Sequence, residues 1–254
     1  MTKELFIEHR IIMTPGPAEA DPRILRAMTN PIIGQFDPDF LSIMDQTMEM
    51  GRKIFNTNNQ WTYAIVGTAR SGIEALLFSV VKPNDKVYVP IFGRFGHLMA
   101  EIAKRAQGDV HTTEIALGEV YDFEHLKHEI DTFLPKVVAI VHGESSTGMM
   151  QPLKQLGEYC RKRDILFIVD AVATLAGAPL LTDEWCIDGV ASGSQKCLAM
   201  PAGLSPITYN DRIEKVILSR QKIEQGLDPD SHNDHLILTN YLDLSQLQEY
   251  WGER

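Results

Sequence analysis

The sequence predicts an α/β protein with a doubly wound, mostly parallel sheet and helices on both faces. Short apolar, β-branched segments alternate with helix-like segments, which is typical of wound α/β sheets. These strand segments are apolar on both faces, which indicates a sheet buried on both sides. The predicted strands are 62–66, 85–90, 110–115, 136–142, 164–170, 188–192 and 204–210.

Helical segments lie between these strands, and the two ends of the chain differ from its centre. The predicted helices of the central region are 70–81, 95–107, 122–132, 152–163 and 211–218. The Pro- and Gly-rich residues 1–38 are predicted to form an arm over the sheet or over a partner subunit, followed by a helix at about 39–55. Residues 225–234 are polar and predict a loop, and 244–251 form a short amphipathic segment.

Composition excludes several classes of protein. The 254 residues carry 34 Asp and Glu against 24 Lys and Arg, a formal net charge of −10. That charge argues against nucleic acid or an anionic membrane as partner, because both would repel it. No segment approaches the ~20 apolar residues of a membrane span, and the N-terminus has no apolar signal core. The 3 cysteines lack CxxC spacing, so neither a disulfide framework nor a zinc cluster is expected. We therefore expect a cytoplasmic protein.

Four strand ends carry the residues of interest, because ligands in open α/β sheets bind beyond the carboxyl ends of the strands. GTARSGIEA (67–75) is a turn that opens a helix and could bind a phosphate through its backbone N–H groups. GESSTG (143–148) supplies hydroxyl groups, Asp170 ends a strand, and Lys196 follows the next strand. Pyridoxal phosphate needs these parts: a lysine for the Schiff base, a carboxylate for the ring nitrogen and a helix N-terminus for the phosphate.

Each of these features alone has an ordinary structural explanation. A single lysine is usually a solvated surface residue, and Asp170 could cap the next segment. GTARSG is neither a P-loop nor a strict GxGxxG motif. His142 has no second metal ligand at helical spacing, so no metal site is expected. The order of the features along the chain is what favours a cofactor site.

Four motifs resemble those of class V aminotransferases of fold type I. They are TPGP (14–17), VHGESSTGMMQPL (141–153), FIVDAVATLAGAPL (167–180) and SGSQKCLAMPAGLSPI (192–207). In order and spacing they are similar to the alanine–glyoxylate and serine–pyruvate aminotransferase group, from about Met13 to Trp251. The resemblance implies the large domain of the fold type I pyridoxal-phosphate transferases.

The resemblance also implies roles for individual residues. Lys196 would form the Schiff base and move the substrate proton, and Asp170 would pair with the ring nitrogen. Phe95, at a position that is often Trp in the group, would stack on the ring face opposite Val172. The remaining cofactor contacts implied are the phosphate-binding residues Thr68, Ala69, Arg70 and Gln195, and Ser145 near the 3′-oxygen and the substrate carboxylate. Gln195 also argues against the cysteine desulfurase branch, which typically has His there.

Position 35 indicates the amino donor. Alanine–glyoxylate enzymes usually have a small residue there, whereas Gln35 in its GQFDP context resembles the (S)-ureidoglycine–glyoxylate aminotransferases of purine breakdown. An amide can both donate to and accept from a ureido group. The predicted reaction is therefore transamination from (S)-ureidoglycine to glyoxylate. Alanine or serine as donor is the alternative, and Gln35 could instead cap a turn before Asp37.

The predicted organisation is an arm at 1–38 and a cofactor-binding large domain at 39–254. Family members continue into a smaller C-terminal domain of ~100–150 residues, so we expect this chain to be a fragment with an incomplete substrate site. The resemblance also implies a homodimer. An alternative of another class is an inactive fragment or non-catalytic binding protein. A dinucleotide-binding Rossmann protein has little support, because the first strand–turn–helix lacks GxGxxG.

Overall fold

The computed structural model describes residues 7–8, 10–220 and 236–252, so the loop predicted at 225–234 lies outside the described residues. The strands are β1 (Trp61–Val66), β2 (Lys86–Ile91), β3 (Asp109–Glu114), β4 (Val137–Val141), β5 (Gly143–Glu144), β6 (Met149–Met150), β7 (Leu166–Asp170), β8 (Gly189–Ala191) and β9 (Leu204–Tyr209). The helices are α1 (Pro22–Ala27), α2 (Pro38–Phe55), α3 (Ala69–Val80), α4 (Arg94–Arg105), α5 (Phe123–Phe133), α6 (Lys154–Lys162), α7 (Asp211–Leu218) and α8 (Leu244–Trp251).

Seven strands form the main sheet, in the order β1-β9-β8-β7-β4-β2-β3. The pairs β8–β7, β7–β4, β4–β2 and β2–β3 are parallel, whereas β9 is antiparallel to both β1 and β8. The predicted mostly parallel α/β fold is confirmed. The carboxyl ends of β4, β7 and β8 consequently lie at one edge of the sheet.

Apolar cores cover both faces of this sheet. Val87 and Val89 of β2 belong to one buried cluster, which also contains residues of α3, α4 and α7. Tyr88, between them, belongs to a second cluster that contains residues of α5 and α6. Successive side chains of a strand point to opposite faces, so the two clusters lie on opposite sides of the sheet.

Local sequence explains where the main helices begin. Asp37 caps α2 by accepting a hydrogen bond from Asp39 N–H at 2.9 Å, and Pro38 occupies the first helical position. Asn210 caps α7 in the same way. Close packing of α3 on β9 requires Gly72, because a Cβ there would lie 2.2 Å from Ser205 Oγ.

The structure adds three features that the sequence analysis does not predict. These are the short helix α1, the two-residue hairpin β5–β6 within GESSTGMM, and the antiparallel direction of β9. Two-residue strands and a six-residue helix are too short to produce a hydrophobic period. Among the described residues no helix is long and apolar enough to cross a membrane.

Candidate active site

A cavity of about 620 Å³ lies at the carboxyl-end edge of the sheet. Nine of the ten predicted site residues line it: Thr68, Ala69, Arg70, Phe95, Ser145, Asp170, Val172, Gln195 and Lys196. They come from segments up to 128 positions apart in the sequence, and the strand order brings them together. A larger cavity of about 740 Å³ lies between α2 and Trp251 and contains none of the ten.

Gln35 is the predicted residue that does not line this cavity. It is exposed in the turn that precedes Asp37, the residue that caps α2. Its assignment to the amino donor therefore remains a prediction.

Asp170 is a buried acid at the end of β7, only 3% exposed. Val172 N–H donates to its Oδ1 at 2.8 Å. The pKa of Asp170 is raised from 3.8 to about 7. Burial is the main cause, and the charge of Glu144 adds to it, whereas the Val172 hydrogen bond and the charge of Lys196 act in the opposite direction. A cationic ring nitrogen in the cavity would supply the counter-charge that this carboxylate lacks.

The N-terminal arm crosses the loop that contains Lys196. Lys196 Nζ donates to Pro15 O at 2.6 Å, and Ala18 N–H donates to Gln195 O at 2.7 Å. Gly16 has φ +145°, and a Cβ there would lie 2.3 Å from Lys196 Nζ. Glycine in TPGP therefore leaves room for the amine, which lies at the cavity with its position fixed by the arm.

The turn at the start of α3 suits a phosphate. Thr68 is the N-cap of α3, but its side chain makes no capping hydrogen bond, so the first N–H groups of the helix have no side-chain acceptor there. Helix N-termini with free N–H groups bind anions. Nearby, Gln195 Oε1 is buried and has no hydrogen-bond partner among the described residues. The N–H groups of this turn fit the phosphate end of pyridoxal phosphate, and the Gln195 side chain, which lines the cavity, has Nε2–H donors that suit the same group.

Phe95 and Val172 bring apolar surface to the cavity from the two cores. Phe95, in the first turn of α4, packs against the second cluster, and Val172 packs against the first. Apolar groups at these two positions suit a flat aromatic ring. Together with Lys196 and Asp170, they make the cavity fit the whole cofactor.

Glu144 is a residue of the site region that the sequence analysis did not select. It is 1% exposed and lies directly before Ser145. Its Oε2 accepts a hydrogen bond from Phe95 N–H at 2.9 Å. Glu144 belongs to the GESSTG motif, but no pattern in the sequence predicts its contact with Phe95, which lies 49 residues earlier.

His142 is buried and faces Thr174 rather than the cavity. Its Nδ1 lies 2.9 Å from Thr174 Oγ1, and burial lowers the pKa of His142 to about 4, so the imidazole is neutral at physiological pH. Over the described part of the chain, no group of three or more His, Cys, Asp or Glu residues is placed to hold a metal ion.

Comparisons with known proteins agree with this geometry. The family model described as aminotransferase class-V matches residues 26–222. The chain is 52% identical to the (S)-ureidoglycine–glyoxylate transaminase of Bacillus subtilis over 99% of its length and 62% of that protein. It is 36% identical to the alanine–glyoxylate aminotransferase of Drosophila melanogaster, over 99% of this chain and 61% of that one.

Solved structures show the same likeness. The ureidoglycine–glyoxylate aminotransferase of Bacillus subtilis superposes with a TM-score of 0.92, covering 99% of this chain and 62% of that one at 52% identity. The alanine–glyoxylate aminotransferase of Nostoc superposes with a TM-score of 0.91, covering 100% and 64% at 35% identity. The predicted fold type I architecture is confirmed. This chain thus spans about 62% of the length of the Bacillus subtilis relative. It belongs to the class V aminotransferase family, whose members depend on pyridoxal phosphate.

Proposed function

We propose that the protein is a pyridoxal-phosphate-dependent aminotransferase that uses glyoxylate as amino acceptor and (S)-ureidoglycine as donor. The observation that carries this proposal is the meeting of Lys196, Asp170 and the α3 N-terminus on one cavity. The 52% identity to a protein named (S)-ureidoglycine–glyoxylate transaminase supports the choice of substrates.

The residues of the cavity divide the chemistry between them. Pyridoxal phosphate, when bound, supplies a ring that withdraws electrons from the substrate Cα. Asp170 would hold a proton at the ring nitrogen, and the N–H groups of the α3 turn would hold the phosphate. Lys196 Nζ would hold the cofactor in the resting protein, and its free amine would take the proton from the substrate Cα as a general base and hand it on as a general acid. Proton transfer of this kind typically contributes about 10²- to 10⁴-fold to the rate.

The amino donor is the less constrained part of the proposal. Gln35 carries an amide that can donate to and accept from a ureido group. It is exposed in the turn before α2 and does not line the cavity. Alanine and serine are the alternative donors, and the 36% identity to an alanine–glyoxylate aminotransferase supports them. A donor comparison with (S)-ureidoglycine, alanine and serine at fixed glyoxylate separates these cases.

We also propose a homodimer formed by the arm and α2. Large apolar side chains are exposed along both segments, and surface patches of this kind mark interaction sites. They include Ile11, Met13, Ile32, Phe36, Ile43 and Met50. Light scattering of the purified protein tests this part, and a monomeric mass would contradict it. We also propose that the protein is cytoplasmic, and its three free cysteines are compatible with a reducing compartment.

A non-catalytic binding protein is the rival of a different class. Such a protein could hold a phosphate ligand or a partner subunit at the same cavity without turnover. The two hypotheses differ in whether Lys196 bonds the cofactor, which can be measured directly.

Borohydride trapping tests the proposal. The protein is mixed with pyridoxal phosphate, reduced and digested, and the peptides are analysed by mass spectrometry. We expect a pyridoxyl group on Lys196, absent from Lys196→Ala and retained in Lys215→Ala, whose lysine is exposed on α7. Lys196→Ala should also lose amino transfer to glyoxylate. Adducts scattered over surface lysines, or none, would contradict the proposal and favour the non-catalytic rival.

A further inference from the structure

We propose that Glu144 is a positioning residue. Its carboxylate joins the start of α4, which carries Phe95, to the turn between β5 and β6, which carries Ser145, and so fixes both residues at the cofactor cavity. This inference rests on the proposed function, because positioning matters only if the cavity holds the cofactor. Glu144 itself does not line the cavity, so its effect must pass through its two neighbours.

The first step is the carboxylate contact with α4. Gly93, the N-cap of α4, has no side chain with which to cap the helix. Glu144 replaces that cap from a distant segment, since its Oε2 accepts from Phe95 N–H at 2.9 Å, while Ser146 Oγ accepts from Arg94 N–H at 3.1 Å. A carboxylate at a helix N-terminus is stabilised by the helix dipole. The backbone of Phe95 is thereby fixed at the point where its ring enters the cavity.

The second step is the hairpin that presents Ser145. Glu144 Oε1 accepts from Ser146 N–H at 3.1 Å and from Ser146 Oγ–H at 2.7 Å. The backbone oxygen of Glu144 accepts from Gly148 N–H at 2.8 Å. Ser145 lies inside this closed turn and lines the cavity. One side chain thus connects the two segments that bring Phe95 and Ser145 to the site.

The third step is that the Glu144 carboxylate does not belong to an ion pair of the described residues. Glu144 is 1% exposed, and the side-chain contacts of its carboxylate within the described residues are to Phe95 and Ser146, with no ion pair to a Lys, Arg or His. Gly93 is also needed for the contact, because a Cβ there would lie 2.2 Å from Glu144 Cγ. The carboxylate is therefore held by helix and hairpin donors alone, in a space that only glycine at position 93 leaves open.

A double-mutant cycle tests the inference on the full chain. The dissociation constant for pyridoxal phosphate and the visible circular dichroism of the bound cofactor are measured for Glu144→Gln, Phe95→Leu and the double variant. We expect Glu144→Gln to weaken cofactor binding about tenfold, the change that follows from losing one hydrogen bond to a charged group. Because Glu144 acts in part through Phe95, its substitution should weaken binding less once Phe95 is Leu, so the combined effect should fall short of the sum of the two.

Asp243→Asn is the matched control. Asp243 is buried and accepts from Ser245 N–H at 2.9 Å and Ser245 Oγ–H at 2.7 Å, the same local pattern as Glu144 with Ser146, but at the start of α8 away from the cavity. It should lower thermal stability without changing cofactor affinity. Additive effects of Glu144→Gln and Phe95→Leu, or an unchanged affinity in Glu144→Gln, would overturn the positioning role and leave the proposed function intact. Failure of the unsubstituted protein to bind the cofactor would overturn both.

Discussion

Asp170→Asn should stabilise the cofactor-free protein, and the gain should depend on pH. Asparagine has nearly the size of aspartate, and its carbonyl oxygen can still accept from Val172 N–H, which donates to Asp170 Oδ1 at 2.8 Å. The substitution therefore removes an ionisable group with little change in packing. The expected effect follows from the cost of ionising a carboxyl that is only 3% exposed.

The magnitude follows from the pKa of Asp170, which burial raises from 3.8 to about 7. A difference of one pKa unit corresponds to about 1.4 kcal/mol, so ionisation of Asp170 costs the folded state about 4 kcal/mol. Because the folded-state pKa is raised, the unsubstituted protein loses this stability as pH rises from about 4 to 7 and loses no more above it. The Asn variant has no such loss. The difference in unfolding free energy between the two proteins should therefore grow over this interval and level off.

Urea denaturation of both cofactor-free proteins between pH 4 and pH 8 measures this difference. All other titrating groups are common to the two proteins, so the pH dependence of the difference reports the ionisation of Asp170 together with its coupling to Glu144 and Lys196. A difference that stays constant from pH 4 to pH 8 would refute the raised pKa. With pyridoxal phosphate present the sign should reverse, because the variant lacks the charge that pairs with the ring nitrogen and should bind the cofactor more weakly.

Two further substitutions have controls elsewhere in the chain. Gly16→Ala should lower the yield of borohydride trapping at Lys196, because its Cβ would lie 2.3 Å from Nζ and displace the lysine side chain. Gly118→Ala is also at positive φ but has nothing within 4 Å, so it should only lower stability by about 1–2 kcal/mol. If Gly16→Ala and Gly118→Ala both gave as much pyridoxyl-Lys196 as the unsubstituted protein, this expectation would be wrong. Asp188→Asn should lower the unfolding free energy in urea by about 3–5 kcal/mol, because the carboxylate is fully buried between Arg161 and Arg212. Glu184→Gln, which breaks an exposed pair with Lys154, should cost less than about 1 kcal/mol, and equal losses would refute the comparison.

Much of this fold could be predicted from local patterns. The strand predicted at 62–66 is Trp61–Val66, and the helix predicted at 211–218 is Asp211–Leu218. Apolar runs and helical periods are properties of contiguous residues, so they can be read without tertiary contacts. The direction of β9 could not be predicted in this way, since parallel and antiparallel strands buried on both faces have the same apolar pattern.

The sequence by itself determined the alternating α/β fold and nominated Lys196 and Asp170, because both follow apolar strands and ligands bind beyond strand ends. Only the tertiary structure decided which other groups meet them. Pro15 O accepts a hydrogen bond from Lys196 Nζ, 181 positions later in the chain, and Glu144 accepts one from Phe95 N–H, 49 positions earlier. Contacts between residues so far apart depend on strand order and chain crossing, which leave no periodic pattern in the sequence. The contact of the arm with Lys196 and the contact of Glu144 with the start of α4 were therefore decided by the tertiary structure.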